Sequence, residues 1–402
     1  MNTQPAIAVI GTFDTKAEEH LFLKNRIEKR GLQAITVHVG TKTASHVPVD
    51  TDMYDRVKKE NSSVLHSRDK AIEAMILAAG DRIKQLYRNG KICGIISAGG
   101  GTGTHIGTRI MHALPLGVPK VMISTVAARD MANVVGTKDI TMIHSVADLL
   151  GINSISGMIL DQAAAAICGM THSQWGPRQA KSRIALPFFG FITRGAEATK
   201  LALEKLGYEV VAFHANGTGG MAMEELAAQG YFEGILDLAT HELADHLMDG
   251  YCGGIGAARF EPVSGRPIPR LVVPGGLDCA VLEFTRNNIP DQYKDRKIFF
   301  YDFRSAIRLN FEETRILADQ LAAKLNKQAK NVKILIPRKG WSEADHAKGP
   351  LYDPPINNSL IQRLREKLDP QIEIREADYH INDSAFAASA AKMMDEMITA
   401  RR

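Results

Sequence analysis

The strongest chemical signal in this 402-residue chain is a run of eight residues: Ser97, Ala98, Gly99, Gly100, Gly101, Thr102, Gly103 and Thr104. An apolar stretch that reads as a strand over 92–97 precedes it, and a helical stretch over 105–111 follows. Four glycines in five positions let a backbone approach a ligand closely. Free N–H groups at a helix start attract an anion, phosphate above all, and the Thr102 and Thr104 hydroxyls add donors. The alternative is a glycine turn kept for tight strand–helix packing. A second loop, Gly11, Thr12, Phe13, Asp14, Thr15 and Lys16, follows a strand over 6–10. Here Lys16 would neutralise phosphate and Asp14 would bind Mg2+, directly or through water. The alternative is that Asp14 or Thr15 caps the next helix. Ser124 and Thr125 end a further strand over 118–125. Ligands of parallel α/β sheets gather at the carboxyl ends of strands, the edge to which all three loops belong.

Two nucleotide motifs are excluded. The Walker A pattern, GxxxxGK followed by Ser or Thr, is absent. The dinucleotide pattern GxGxxG misses by one residue, since Gly101 and Gly103 are followed by Gly107. No acid ends the strand over 118–125 to take a ribose hydroxyl, which argues against a nicotinamide enzyme. In the second half, Asn216, Gly217, Thr218, Gly219 and Gly220 join a strand to a helix, as an anion loop or a structural turn. Gly275, Gly276 and Asp278 follow a strand over 271–273. His241 and His246 resemble a zinc-protease pair but lie five apart and do not share a helical face, whereas His241 and Asp245 do; the segment reads as a capped amphipathic helix rather than a metal site. Cys279, beside Asp278, reads as a buried thiol rather than a nucleophile, because no base is placed by sequence. The stretch 293–304 mixes bases and aromatics around Ile298, Phe299 and Phe300; it reads as a loop feeding a strand, not a nucleic-acid platform.

The elements that position these residues alternate strand and helix. Ile72, Met75, Ile76, Ala79, Ile83 and Leu86 share one helical face, and Asn89-Gly90 ends that helix. Further strands fall over 34–39 and 184–189, and a final helix turns Ala387, Ala391, Met394 and Ile398 to one side. Such alternation makes βαβ units and a parallel sheet. A polar Gly-Pro stretch over 171–183 reads as a linker, giving a nucleotide-binding domain over 1–178 and a second domain over 179–402. The two halves echo each other: Gly31 leads to His38, and Gly207 to His214, over the same spacing. Any two βαβ units would match about as well. The segment 41–67, with a short helix over 52–60, is long for a βα connection. It serves as a lid, an oligomer contact or a solvated insertion.

Composition is that of a globular protein: 45% hydrophobic, 23% charged, net charge +4. That charge is too weak to argue for a nucleic-acid or membrane partner. Cys93, Cys168, Cys252 and Cys279 form no CxxC and no disulfide framework, which fits a reducing cytoplasm. Neither a signal peptide nor a membrane-spanning stretch is expected.

These motifs, in this order, resemble the two-domain family that includes the N-terminal inhibitory region of the tomato mosaic virus resistance protein. The resemblance runs over nearly the whole chain. It rests on the two loops above, Ser124 to Ala127, Asp139 to Met142, Asn216 to Gly220, Pro274 to Asp278 and His380 to Asp383, followed by Phe386 and Ala387. It implies an α/β fold of two Rossmann-like domains, each a mostly parallel sheet flanked by helices, with ATP in the first domain and a homodimer. It also adds Glu242, Asp278, Ser342, Asp345, Asp353, His380, Asn382 and Asp383 as second-domain candidates. Where a His-Asn pair is expected near 301–302, this chain has Tyr301 and Asp302. Three functions compete. One is an ATP-binding protein, with Mg2+. Another is a metabolic enzyme acting on a small polar or acidic substrate in the interdomain cleft, with Asp278, His380 and Asp383 as acid–base groups. The third is an interaction module with structural nucleotide.

Overall fold

A computed structural model describes residues 4–175, 181–263 and 267–401. The chain divides into two compact units, residues 1–176 and 177–402. The linker expected over 171–183 falls partly on 176–180, outside the described residues.

The first unit runs β1 (Ala6–Gly11), α1 (Ala17–Glu28), β2 (Ala34–His38), β3 (Thr51–Asp52), α2 (Met53–Glu60), α3 (Arg68–Arg88), β4 (Ile92–Gly99), α4 (Gly101–Met111), β5 (Lys120–Ser124), α5 (Ala132–Val135), β6 (Thr141–His144) and α6 (Ser154–Thr171). Its six strands are parallel, in the order β3-β2-β1-β4-β5-β6. All six residues of β1 are buried, because helices cover both faces of the sheet. Alternate side chains serve opposite layers: Ala8 and Ile10 pack with Met75, Ala79 and Ile83 of α3, while Ile7 and Val9 pack with Leu23 of α1 and Leu160 of α6. The chain leaves β1 toward β2 and β3, then returns to β4 and proceeds the other way. The direction of winding therefore reverses between β1 and β4.

The second unit runs β7 (Arg183–Phe188), α7 (Thr193–Lys205), β8 (Glu209–His214), α8 (Thr218–Ala228), β9 (Gly234–Ala239), α9 (Glu242–Leu247), β10 (Arg270–Gly275), β11 (Cys279–Leu282), β12 (Ile298–Phe300), β13 (Ser305–Arg308), α10 (Phe311–Leu325), β14 (Val332–Pro337), α11 (Pro354–Lys367), β15 (Glu373–Ala377) and α12 (Ser384–Thr399). Its main sheet is parallel, β15-β14-β10-β9-β7-β8, and both units are Rossmann-like. Ala387, Ala391, Met394 and Ile398 of α12 are buried together.

Two expectations need correction. The alternation of strand and helix does not run unbroken through the second half, since β11, β13 and β12 form a separate antiparallel sheet. Helix α4 begins at Gly101, not at residue 105. Glycine is a poor helix former, so the pattern hid a first turn built of Gly101, Thr102 and Gly103.

Candidate functional site

A cavity of about 280 Å3 opens at the carboxyl ends of β1, β2 and β4 in the first unit. Thr12, Asp14, Thr15 and Lys16 form one wall, and Gly99, Gly100, Gly101, Thr102 and Gly103 form the other. The two glycine loops read from sequence thus meet, at the point where the winding reverses. Thr41, Lys42, Arg68 and Ile106 complete the lining, and sequence reading missed them. Thr41 and Lys42 follow β2, so the same strand-end rule that found the other loops points to them. Arg68 begins α3 at the far end of the 41–67 excursion, and its Nη2 donates to Thr102 Oγ1 at 3.1 Å.

Local hydrogen bonds set the walls. Thr12 O accepts from Thr15 N at 3.0 Å and Lys16 N at 2.8 Å, and Thr15 Oγ1 donates to Thr12 Oγ1 at 2.9 Å. Lys16 Nζ donates to Leu149 O. His38 Nδ1 accepts from Phe13 N at 3.0 Å, which fixes Nε2 as the donor to Thr43 O at 2.9 Å. One imidazole therefore joins the loop after β1 to the start of the excursion. Gly40 lets them approach, because a Cβ there would lie 2.4 Å from Asp14 Oδ1.

Other predicted residues lie beneath the cavity. Gly11 is covered by His20, whose Nε2 would sit 2.0 Å from a Cβ at that position; His20 is fully buried and burial lowers its pKa. Ser97 packs under Gly107, 3.0 Å from its Cβ position. Thr104 and Ser124 are buried and share a hydrogen bond of 2.7 Å, tying α4 to β5. Thr125 N donates to Gly99 O at 3.1 Å, behind the loop. These residues support the cavity and do not line it.

The glycines differ in what the fold asks of them. Gly99 is required, since a Cβ would meet the Gly103 backbone at 2.9 Å. At Gly101 a Cβ meets nothing within 4 Å, and at Gly103 the nearest atom is Ala98 O at 3.9 Å. Neither has positive φ. Helix α4 has Gly100 as its N-cap and no side-chain cap. Its first turn thus presents backbone to the cavity, beside Lys42 and Arg68.

In the second unit the candidates form separate clusters. Glu242 is buried in an ion-pair network. It accepts from Arg259 Nε at 2.9 Å and from Gly217 N at 2.7 Å. Arg259 also pairs with Glu224 at 3.0 Å and Asp237 at 2.8 Å, and Arg270 pairs with both of those acids. Gly220 clears space for Glu242, whose Oε1 would lie 2.5 Å from its Cβ. Gly219 N donates to Asn216 Oδ1 at 3.1 Å, and Thr218 Oγ1 faces the same oxygen at 3.3 Å. This loop is a turn held by a buried carboxylate. Sequence reading passed over the network, although Asp237, an acid inside the apolar run of β9, signals a buried partner.

Ser342 Oγ donates to Asp278 Oδ2 at 2.7 Å, and Asp345 Oδ2 accepts from Asn357 Nδ2 at 2.8 Å and Trp341 N at 3.0 Å. Asp278, Ser342 and Asp345 are each wholly buried. Burial and the neighbouring Asp345 carboxylate push the Asp278 carboxyl up. His380 joins through Nε2, which donates to Ser342 O at 3.0 Å, while Nδ1 accepts from Asn382 N at 3.1 Å. Asp383 accepts from the His380 backbone N at 2.8 Å, not from its ring. Asp278, His380 and Asp383 therefore make no relay, and both imidazole nitrogens hold backbone. Gly276 has φ +76, and a Cβ there would strike His241 and Phe189. Asp353 pairs with Lys297 at 2.8 Å and Asp302 with Arg304 at 2.7 Å. Tyr301 packs edge-on against Phe191. Cys279 is buried, and burial holds its thiol protonated.

Residues 5–175 match the N-terminal domain, and residues 181–398 the C-terminal domain, of the family described as "Uncharacterised protein family (UPF0261)". The chain is 36% identical over 401 residues to a UPF0261 protein of Clostridium tetani, covering 98% of each. It is 30% identical over 419 residues to the ToMV resistance protein Tm-1(GCR237) of Solanum lycopersicum, covering 96% of this chain and 55% of that one. It thus spans about half the length of the tomato protein. A solved UDP-N-acetylglucosamine 2-epimerase from Rickettsia bellii aligns over 99% of this chain and 97% of its own at 10% identity and a TM-score of 0.23. A likeness that slight carries no argument.

Proposed function

The chain belongs to the UPF0261 family, and from that footing we propose that its first unit binds a nucleotide, ATP, with the phosphates on the first turn of α4. The observation that carries this reading is steric. The fold leaves room for side chains at Gly101 and Gly103, yet both are glycine and both line the cavity. Glycine in a helix costs about 0.5–1 kcal/mol relative to alanine. Something outside the protein accounts for the choice, and a ligand seated against the backbone does so. Lys42, Arg68 and Lys16 give the lining a positive balance against Asp14 alone, which suits an anion. Asp14 is the candidate contact for Mg2+. The switch point between β1 and β4 is where open α/β sheets receive such ligands.

Thermal unfolding with and without Mg·ATP tests the proposal. At about 100 times its dissociation constant, ATP stabilises the wild type by roughly 2.7 kcal/mol, a shift of roughly 5–11 °C at 2–4 °C per kcal/mol. Gly103→Val removes the shift and leaves the melting of the free protein within a few degrees. No shift in the wild type, or an undiminished shift in Gly103→Val, overturns the reading.

An acid–base reading of the second unit has one observation in its favour, the raised Asp278 carboxyl bonded to Ser342. The burial of both groups and the engaged His380 weigh against it. We also propose a homodimer, supported by Val146, Leu150, Ile155 and Met158, which lie exposed at and just before the start of α6. Light scattering should return about twice the 44.0 kDa chain mass, and Met158→Lys should lower it; a monomeric wild type ends the idea. Among the described residues no helix is long and apolar enough to cross a membrane.

A further inference from the structure

His241, Asp245 and Cys252 each place one ligating atom inside the second unit, with all three atoms within 4.8 Å of one another. We propose that these residues form a site for a thiolate-binding divalent cation of the zinc class. His241 and Asp245 lie four residues apart at the start of α9, so they share its face. The chain then turns back through Met248, Asp249, Gly250 and Tyr251, and Cys252 completes the group. That loop is fixed by Tyr251 N, which donates to Val281 O at 2.7 Å.

The second observation is the state of His241. It is fully buried, stacked on Phe189 with ring centroids 3.8 Å apart, and neither ring nitrogen has a hydrogen-bond partner. A buried polar group without a partner is rare in folded proteins and calls for an explanation. A metal ion supplies it for a neutral imidazole, the form that ligates. Asp245 is already oriented as a ligand should be. Its Oδ2 accepts from Cys252 N at 2.8 Å and its Oδ1 from Val281 N at 2.9 Å, the outer contacts that fix a metal-bound carboxylate.

Charge and softness select the ion. Metal binding displaces the protons of the Cys252 thiol and the Asp245 carboxyl to solvent; the resulting thiolate and carboxylate, with one neutral imidazole, sum to −2, which a divalent cation cancels. Arg259, the nearby cation, is already matched by Glu224, Asp237 and Glu242. Sulfur and imidazole nitrogen favour zinc and its neighbours over Mg2+ or Ca2+. Bonds of about 2.0–2.3 Å to a tetrahedral zinc hold ligand atoms roughly 3.3–3.6 Å apart, so binding draws the three atoms inward from a spacing of up to 4.8 Å. Three protein ligands leave the fourth position to water. The site lies wholly in the second unit and does not depend on the nucleotide reading.

The untagged full-length protein, expressed in minimal medium supplemented with Zn2+ or Co2+ and passed over gel filtration, provides the test. Elemental analysis should find one zinc per chain. His241→Phe, which keeps the stack on Phe189, and Cys252→Ser should each lower bound zinc at least tenfold. His346→Ala, outside the cluster, should not change it. The Co2+ protein should show a thiolate charge-transfer band that Cys252→Ser abolishes. Zinc-edge absorption of the wild type needs no variant and should report one sulfur with nitrogen and oxygen completing the shell. Wild type with less than a tenth of an equivalent, a charge-transfer band that survives Cys252→Ser, or a shell with no sulfur or with two overturns the site.

Discussion

Gly101→Ala adds a methyl group that touches nothing within 4 Å and replaces the poorest ordinary helix former with the best. The free protein should therefore melt no lower than the wild type, and up to a few degrees higher, while its response to Mg·ATP falls. Opposite movement of those two readouts distinguishes ligand exclusion from damage to the fold; a lower melting point with an intact ATP response contradicts the steric argument. Asp278 supplies a second residue-level prediction. Its raised pKa means the folded chain holds that proton more tightly than the unfolded chain does. The stability this contributes is full below the unfolded carboxylate value of about 3.9 and is lost as pH rises through the raised value. Asp278→Asn should flatten the fall in stability over roughly pH 4 to 7 and gain on the order of 1–3 kcal/mol at the upper end. Urea unfolding at several pH values reads it, and a variant with the wild-type slope refutes it. Sequence marked Asp278 but not its burial, because the groups around it, Ser342 and Asp345, lie far along the chain. The approach of Cys252 to His241 and Asp245 was hidden for another reason: it is near in sequence, but it depends on a turn after α9 that no periodic spacing announces.

Elements were legible where burial on both faces wrote a continuous apolar run. Strands β1, β4, β5 and β7 fell within a few residues of their observed ends for that reason. The antiparallel sheet was harder to read. β12 and β13 are only three and four residues long, too short for a period to declare itself. The 41–67 excursion proves to be anchored rather than loose. Asp50 Oδ2 accepts from Thr36 N at 2.7 Å, and Asp52 caps α2 through Tyr54 N at 2.9 Å and accepts from Ser45 N at 2.8 Å. Both ends of this segment reach the cavity, through Lys42 and Arg68. Asp52→Ala removes a helix cap and the Ser45 contact together. It should destabilise the first unit by about 1–2 kcal/mol, speed proteolysis within 41–67 and weaken ATP binding several-fold. Unchanged ATP affinity in a variant that is cut faster would separate the excursion from the site.

At the scale of the molecule the two units share a plan. Each begins with a strand whose neighbour is the second strand, at whose end stands a histidine, His38 or His214. Each first helix is followed closely by a glycine with positive φ, Gly31 or Gly207. The echo in the sequence is thus an echo in topology. The units differ in what their centres hold. The first buries isolated polar groups such as Thr36, Lys120 and Ser124 among apolar side chains, whereas the second buries Arg259 and Arg270 together among Glu224, Asp237 and Glu242. Removing one member of a buried network costs about 3–5 kcal/mol, because the partners remain charged and unpaired. Arg259→Met should lower the second unit's calorimetric transition by roughly 6–20 °C, while the first unit's transition keeps its place. If both transitions fall together, the units do not unfold as separate bodies.

The distribution of sulfur gives the open face of Gly101 a practical use. Three of the four cysteines are buried and the fourth, Cys93, is half-covered with its thiol on the Pro5 and Ala6 carbonyls. A thiol introduced by Gly101→Cys would be the most reactive in the chain toward a maleimide dye. It would stand at the mouth of the cavity without displacing a protein atom. The rate of labelling then reports occupancy directly, so compounds that slow it can be found by fluorescence without knowing the reaction, if any, that follows binding.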